Sequence, residues 1–388
     1  QIKSLNNDIE SEKDKYLRLF AEFENFRKRT SKERIELFKT ASKELMSALL
    51  PVLDFTNVTF GKIFTDHMFI SEYKNGIWSS GEIRPYKNIS ISPSARVLHY
   101  GQAIFEGMKC FKSKDDDLFL FRPAENFKRF NKSSQRLAIP EIDEKIFFNG
   151  LNKLLKIDSQ WVKKGFGNAL YIRPFVYASE PSINAAEANE YTFLIICSPS
   201  KSYYGDMEIS VKIEEKYSRA AKGGVGYAKA AGNYAAAFYP TKLAIEQGFQ
   251  QIIWTDSNNH NAIEEAGTMN LFFVIGNKLI TSPTSDSILD GITRKSIIEL
   301  AKFYGIDVYE REITIDEIIK EHKSGNLKEI FGSGTAVVVL PIKSFGHRDQ
   351  LYSLNSEKSS ISSFLKEKLN NIQYNISNDF ENWKYKIN

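Results

Sequence analysis

Gly224-Val225-Gly226-Tyr227-Ala228-Lys229-Ala230-Ala231-Gly232-Asn233-Tyr234 sets a lysine among glycine, alanine and tyrosine, with few charges nearby. Desolvation disfavours an ammonium ion, so a lysine buried in such a setting can act as a neutral nucleophile near neutral pH. An amine of that kind forms a Schiff base with an aldehyde. Further on, Glu264-Glu265-Ala266-Gly267-Thr268-Met269-Asn270 puts an acidic pair before a glycine turn and a strand-like run. A Schiff-base lysine with a carboxylate partner is what pyridoxal phosphate chemistry requires.

Other stretches extend the pattern. Upstream are Phe64-Thr65-Asp66-His67-Met68, Leu98-His99-Tyr100-Gly101-Gln102-Ala103-Ile104-Phe105-Glu106-Gly107-Met108-Lys109 and Tyr171-Ile172-Arg173-Pro174. Downstream are Gly291-Ile292-Thr293-Arg294 and Phe331-Gly332-Ser333-Gly334-Thr335-Ala336. Taken in order, from about Phe60 to Leu340, these resemble the branched-chain amino acid aminotransferases, the fold-type IV group of pyridoxal-phosphate enzymes. One such motif is a weak signal; all of them in register are a strong one. The resemblance implies an α/β architecture (a two-domain α+β arrangement of fold type IV) with a small domain over 55–199 and a large one over 200–388. It also implies a homodimer and pyridoxal 5'-phosphate as cofactor. The implied reaction moves the amino group of L-leucine, L-isoleucine or L-valine to 2-oxoglutarate, giving branched 2-oxo acids and glutamate. A D-amino acid aminotransferase or an aminodeoxychorismate lyase is the rival within the same fold. The Tyr171-Ile172-Arg173-Pro174 and Phe105-Glu106-Gly107-Met108-Lys109 motifs favour the branched-chain group.

The resemblance carries over residue by residue. Lys229 matches the Schiff-base lysine, which also moves the proton between the substrate Cα and the cofactor. Spacing alone leaves Glu264 and Glu265 as rivals for the pyridine nitrogen; the family pattern picks Glu265. A carboxylate there keeps the ring protonated and electron-withdrawing. Tyr234 matches the donor to the phenolic oxygen, and Thr268 lies in the cofactor-binding motif. For the phosphate, Ile292 and Thr293 stand before a predicted helix, whose free N–H groups and dipole suit an anion. Thr335, in a second glycine turn, offers further amides. Arg129 aligns with the phosphate arginine, and chemistry alone leaves nearby Arg136 as a candidate. Phe64, Tyr100, Phe105, Tyr171 and Tyr203 match aromatic walls around the substrate, and Arg173 matches the cation for the distal carboxylate of glutamate. Thr335 and Ala336 would receive the α-carboxylate with help from the Tyr171 hydroxyl. Some mammalian members carry a CxxC pair after the Gly-Thr-Ala turn; Val337-Val338-Val339-Leu340 stands there instead, so no thiol switch of that type is expected.

Composition excludes several other classes. The hydrophobic fraction of 42% supports a sizeable core and argues against a disordered chain. With 52 Lys and Arg against 48 Asp and Glu, the formal net charge is +4 and the charges are interspersed, so no nucleic-acid partner is expected. No apolar run approaches the roughly 18 residues of a membrane span, and none forms a secretory signal core. Cys110 and Cys197 lie far apart, outside any CxxC pattern, which suits a reducing, cytoplasmic compartment. The histidines lack metal-ligand spacing, so no metal site is expected.

Residues 1–54 read differently. Ile2, Ile9, Tyr16 and Phe23 recur at heptad spacing, and Leu5, Leu19 and Phe26 fill the second seam with Glu12 interrupting it. A second amphipathic stretch runs through Ile35, Phe38, Leu45 and Leu49 to a stop at Pro51. Tyr16-Leu17-Arg18-Leu19-Phe20-Ala21-Glu22-Phe23-Glu24-Asn25-Phe26-Arg27-Lys28-Arg29-Thr30 resembles the long helix of GrpE-type nucleotide-exchange factors. The likeness ends at Asp54, without the β-domain that grips the DnaK chaperone, so no exchange activity is expected.

Elsewhere, 191–198, 251–255, 270–275 and 278–282 read as strands, the last two as a hairpin around Gly276-Asn277, and 293–304 reads as a helix. Pro199-Ser200-Lys201-Ser202-Tyr203-Tyr204-Gly205 reads as a strand breaker and connector. The polar tail from Ser356 is expected to form a terminal helix with a loose end.

Overall fold

The computed structural model describes residues 13, 15–33, 60–200, 208–354, 360–377 and 380–387. The chain divides into two units, Gln1–Asn57 and Val58–Asn388. In the first, a helix (α1) runs over 15–33. Tyr16, Leu19, Phe23 and Phe26, the described part of the heptad seam, are all more than half exposed on it. Exposed pairs Glu24–Arg27 and Arg29–Glu33 lie along the same helix. The rest of the seam, the stretch from Ile35 to Leu49 and the stop at Pro51 lie outside the described residues.

The second unit opens with β1 (His67–Lys74), β2 (Ile77–Trp78), β3 (Glu82–Pro85) and the short helix α2 (Arg96–Tyr100). It continues through β4 (Ala103–Phe105), β5 (Met108–Lys112), β6 (Leu118–Phe121), α3 (Pro123–Arg136) and α4 (Glu144–Ile157). The long strands β7 (Ala169–Ala178) and β8 (Tyr191–Ser200) follow. Next come β9 (Ile209–Ile213), α5 (Ala231–Glu246), β10 (Gln251–Thr255), β11 (Ile263–Ala266), β12 (Met269–Ile275) and β13 (Lys278–Thr281). After α6 (Ile292–Phe303), β14 (Val308–Glu310) and α7 (Ile315–Lys323) come β15 (Leu327–Gly334), β16 (Val338–His347) and β17 (Gln350–Ser353). Helix α8 (Ile361–Gln373) and β18 (Lys384–Lys386) end the described chain.

The described strands form two sheets of nine. The first runs β18-β6-β5-β7-β8-β1-β2, with β3 on β1 and β4 on β7, and every pairing is antiparallel. The second runs β11-β10-β9-β16-β15-β12-β13-β14, and β11 also pairs with β12, which closes a ring of six strands.

Strand β12 shows why so apolar a segment is needed. Side chains alternate across a strand. Leu271 and Phe273 enter one core cluster with Val211, Ile253 and Ile342, while Phe272 and Val274 enter another with Ile297 and Leu300 of α6 and Leu365 and Leu369 of α8. Both faces are covered, so the run is continuously apolar. The 276–277 hairpin forms as read, with Ile275 opposite Lys278, and helix α6 starts one residue earlier than read, at Ile292.

Two readings are corrected. Pro199 does not break β8; it pairs opposite Leu170 at the strand's end. The pairing of β8 with β1 stops at Ile195, so a missing N–H is tolerated beyond it. The connector from Lys201 to Met207 lies outside the described residues. The C-terminal end is not loose. Strand β18 pairs with β6, and Trp383 is buried at 3% exposure. Its ring stacks on Phe380 with centroids 4.2 Å apart and lies 4.6 Å from the Arg122 guanidinium. A single tryptophan anchors a segment whose composition is polar. Trp383→Ala should therefore cost about 3–5 kcal/mol of unfolding free energy, measured by urea denaturation; a loss below about 1 kcal/mol would show that the tail does not contribute to the core.

Candidate active site

The two sheets meet at a cavity of about 520 Å³. Strand β4 of the first sheet brings it against the loop before α5: Phe105 N–H donates to the Lys229 carbonyl (3.1 Å), and Ile104 bridges Ala230. Lys229 N–H donates to Ser133 Oγ of α3 (2.9 Å). With its backbone held from two sides, Lys229 projects a half-buried side chain into the cavity, where Nζ donates to Tyr234 Oη at 2.7 Å. Tyr234 lies in the first turn of α5, so the five-residue spacing returns its hydroxyl to the lysine.

Glu265 sits on β11 at 4% exposure and lines the same cavity. Burial pushes its carboxyl up to about 7, against the opposing pull of the Arg219 guanidinium, the Leu289 N–H and the Lys229 charge. Arg219 Nε stands 2.7 Å from Glu265 Oε1, while Leu289 N–H and Asn270 Nδ2 both donate to Oε2 at 3.2 Å. Glu264 points elsewhere: its carboxylate accepts from Ser287 and does not line the cavity. Strand alternation separates the two acids that spacing left as rivals.

Arg129 lines the cavity and Arg136 does not. Glu106, fully buried, grips Arg129 through Nε (2.7 Å) and Nη2 (3.0 Å), and Asp290 O accepts from Nη1 (3.0 Å). Burial alone would raise the Glu106 carboxyl; the Arg129 charge and hydrogen bonds outweigh it and hold it below the usual range. A guanidinium has five N–H donors, so two remain for a ligand. Ile292 and Thr293 are the first two residues of α6, after an N-cap at Gly291, and their amides have no partner within the helix. Thr268, Thr335 and Ala336 also line the cavity, and Thr335 Oγ1 donates to Gly107 O at 3.2 Å.

Phe105, Tyr171 and Arg173 form the wall on the side of the first sheet. Arg173 Nη2 donates to Tyr171 Oη at 3.1 Å, its guanidinium carbon lies 4.6 Å from the Phe105 ring centre, and its buried Nε has no partner among the described residues. Gly107 is required there, since a Cβ would overlap the Tyr171 hydroxyl. Phe64 and Tyr100 are not brought to the cavity. Phe64 stacks on Tyr86 (4.9 Å, 13°) away from it; Phe60 takes the expected place, edge-on to Tyr171 at 4.9 Å. Tyr100, 47% exposed at the end of α2, turns its hydroxyl to Ile183 O. Tyr203 lies outside the described residues. Sequence reasoning also passes over Arg219 and Lys109. Lys109 Nζ donates to Ala336 O at 2.9 Å, and burial pushes its ammonium down to about 8.

The donor set fits pyridoxal phosphate: an amine for the aldehyde, a carboxylate for the ring nitrogen, a phenol beside the amine, and helix amides with an arginine for the phosphate. Among the described residues no group of His, Cys, Asp and Glu could hold a metal ion, and no helix is long and apolar enough to cross a membrane.

Known proteins resemble this chain in sequence and fold. The family model for class IV amino-transferases matches residues 103–345, and the GrpE model matches 1–64, ten residues past the Asp54 limit of the sequence likeness. Branched-chain-amino-acid aminotransferase 2 of Bacillus subtilis is 42% identical over 90% of this chain and 97% of its own length. A probable branched-chain-amino-acid aminotransferase of Staphylococcus aureus is 43% identical over 88% of this chain and 96% of its own. Among solved structures, the Escherichia coli branched-chain amino acid aminotransferase superposes with a TM-score of 0.68 at 25% identity, over 84% of this chain and all of that one. The Thermoproteus uzoniensis branched-chain aminotransferase, solved with norvaline, gives 0.70 at 22% identity over 83% of this chain and all of that one, a likeness of fold. The chain belongs to the class IV aminotransferases and, within them, to the branched-chain-amino-acid aminotransferases.

Proposed function

We propose that the chain transfers the amino group of L-leucine, L-isoleucine or L-valine to 2-oxoglutarate with pyridoxal phosphate held at Lys229. The observation that carries this is the convergence of the Lys229 amine, the Glu265 carboxylate, Arg129 and the start of α6 on one cavity. Bound there, the cofactor supplies an electron sink for the charge left when the substrate Cα loses its proton.

The residues divide the rest of the work. Lys229 Nζ would take the proton from the substrate Cα and deliver it to the cofactor, with Tyr234, 2.7 Å away, fixing the amine's position. Glu265 stands against the ring nitrogen as a carboxylate, and Arg219 favours that charged form. Tyr234 donates to the phenolic oxygen, while Arg129, the Ile292 and Thr293 amides and Thr335 hold the phosphate, with Thr268 on the same wall. The amides of Thr335 and Ala336, with the Tyr171 hydroxyl, receive the α-carboxylate. Phe60, Phe105 and Tyr171 surround an apolar side chain. Arg173, whose buried Nε has no partner among the described residues, receives the second carboxylate of 2-oxoglutarate or glutamate on the return half-reaction.

A homodimer and a cytoplasmic setting belong to the same reading. Phe238 both lines the cavity and is 69% exposed, and Tyr239 beside it is 60% exposed, an apolar surface that a second copy would cover. Cys110 and Cys197 are free and buried, which supports a reducing compartment.

Turnover with L-leucine and 2-oxoglutarate tests the reaction, and activity confined to D-alanine or aminodeoxychorismate would refute it. In that assay Arg173→Gln should raise KM for 2-oxoglutarate about tenfold or more while leaving KM for leucine within about threefold, because only the former carries a second carboxylate. Equal rises for both would contradict the assignment. A second prediction concerns pH. The Glu265 carboxyl titrates near 7 in the free protein, so its negative charge develops between about pH 6 and 8, and the protonated ring should bind more tightly at the upper end. Titrating the cofactor-free protein with pyridoxal phosphate at both values should show that Glu265→Gln loses this part of the pH dependence; an unchanged dependence would place the titrating group elsewhere.

A further inference from the structure

Ser333 is a buried hydroxyl with no assigned task. It is 1% exposed, lines the cavity, and its Oγ has no hydrogen-bond partner among the described residues. A buried hydroxyl left unpaired costs free energy, so it marks a place where a ligand atom completes the structure.

The register locates the missing partner. Ser333 on β15 is directly opposite Asn270 on β12. Side chains opposite one another in an antiparallel pair share a face of the sheet. Asn270 spans the gap between the Glu265 carboxylate and the entry to α6: Nδ2 donates to Glu265 Oε2 (3.2 Å) and Leu289 O (2.9 Å), and a Cβ on Gly291 would overlap its Oδ1. Ser333 shares that face and stands two residues before Thr335. Thr335 does not free its own proton for a ligand, since Oγ1 already donates to Gly107 O. Between the α6 N-terminus and the Gly334-Thr335 turn, an anion would meet amides, Arg129 and the uncommitted Ser333 hydroxyl.

We propose that Ser333 Oγ donates a hydrogen bond to the cofactor's phosphate. This rests on pyridoxal phosphate occupying the cavity. The hydroxyl is then unpaired in the empty protein and satisfied in the loaded one, so it trades stability of the former for affinity in the latter.

Ser333→Ala separates the two effects, read on the cofactor-free protein by thermal unfolding and by absorbance titration with pyridoxal phosphate and with pyridoxal, which lacks the phosphate. The expected result is a thermal midpoint at or above that of the unaltered protein, affinity for pyridoxal phosphate lowered about tenfold, and affinity for pyridoxal within about twofold. Equal losses for both ligands would put the contact on the ring and overturn the proposal. So would unchanged affinity for both, or a lowered midpoint with affinity retained, which is the result of a purely structural serine. If the unaltered protein binds neither ligand, the cofactor reading itself fails, an outcome distinct from the other three.

Discussion

An ionised group buried between two sheets must be paired, and the seam of this protein is organised around that constraint. Glu265 and Arg219, 5% and 6% exposed at the side chain, meet at 2.7 Å. Glu106 and Arg129 meet through two hydrogen bonds a short distance away. Removing one member of such a pair leaves an uncompensated buried charge and costs several kcal/mol, about 3–5 by the usual measure. Loss of either carboxylate alone therefore strands its guanidinium as a buried charge. The pairs also divide the labour. Arg219 holds Glu265 together with the Gly226 and Ser287 carbonyls and favours the charged carboxylate, whereas Arg129, with three N–H groups used among the described residues, has two left for a ligand.

The pairs join elements that are distant along the chain. Glu106 lies in the turn between β4 and β5, and also accepts from Asn126 Nδ2 (2.7 Å) and from the Gly107 N–H (3.1 Å). Gly107 O accepts from Thr335 Oγ1. One turn of the first sheet thus touches Arg129, adjoins Phe105 and holds the Thr335 turn. A cavity built in this way opens only when both sheets are folded and joined, which explains why its residues are spread from Phe60 to Val337.

That spread sets the limits of what the sequence discloses. Lys229 and Tyr234 are legible because five residues across the start of one helix carry both, and Ile292-Thr293 because a helix start has a local signature. Arg219 is not: it lies in the loop between β9 and α5, its neighbours Ser218 and Ala220 give no pattern, and its partner comes from β11. Phe60 and Phe64 are a turn of chain apart and chemically identical, so only the entry path into β1 decides which ring faces the cavity. The tail misleads for the opposite reason, since its polar composition conceals one tryptophan that finds a prepared slot beside Phe121 and Arg122. The hairpin, strand β12 and helix α6 follow directly from periodicity because each is buried in the pattern its geometry requires.

All of this depends on which amine receives the cofactor. Two lysines compete on chemical grounds: Lys229, half-buried beside Tyr234, and Lys109, buried and titrating near 8. Reduction of the loaded protein with borohydride, followed by proteolysis and mass spectrometry, fixes the cofactor to the amine that holds it. The account predicts a phosphopyridoxyl group on the peptide carrying Lys229. Its presence on Lys109 or a surface lysine, with Lys229 unmodified, would contradict it.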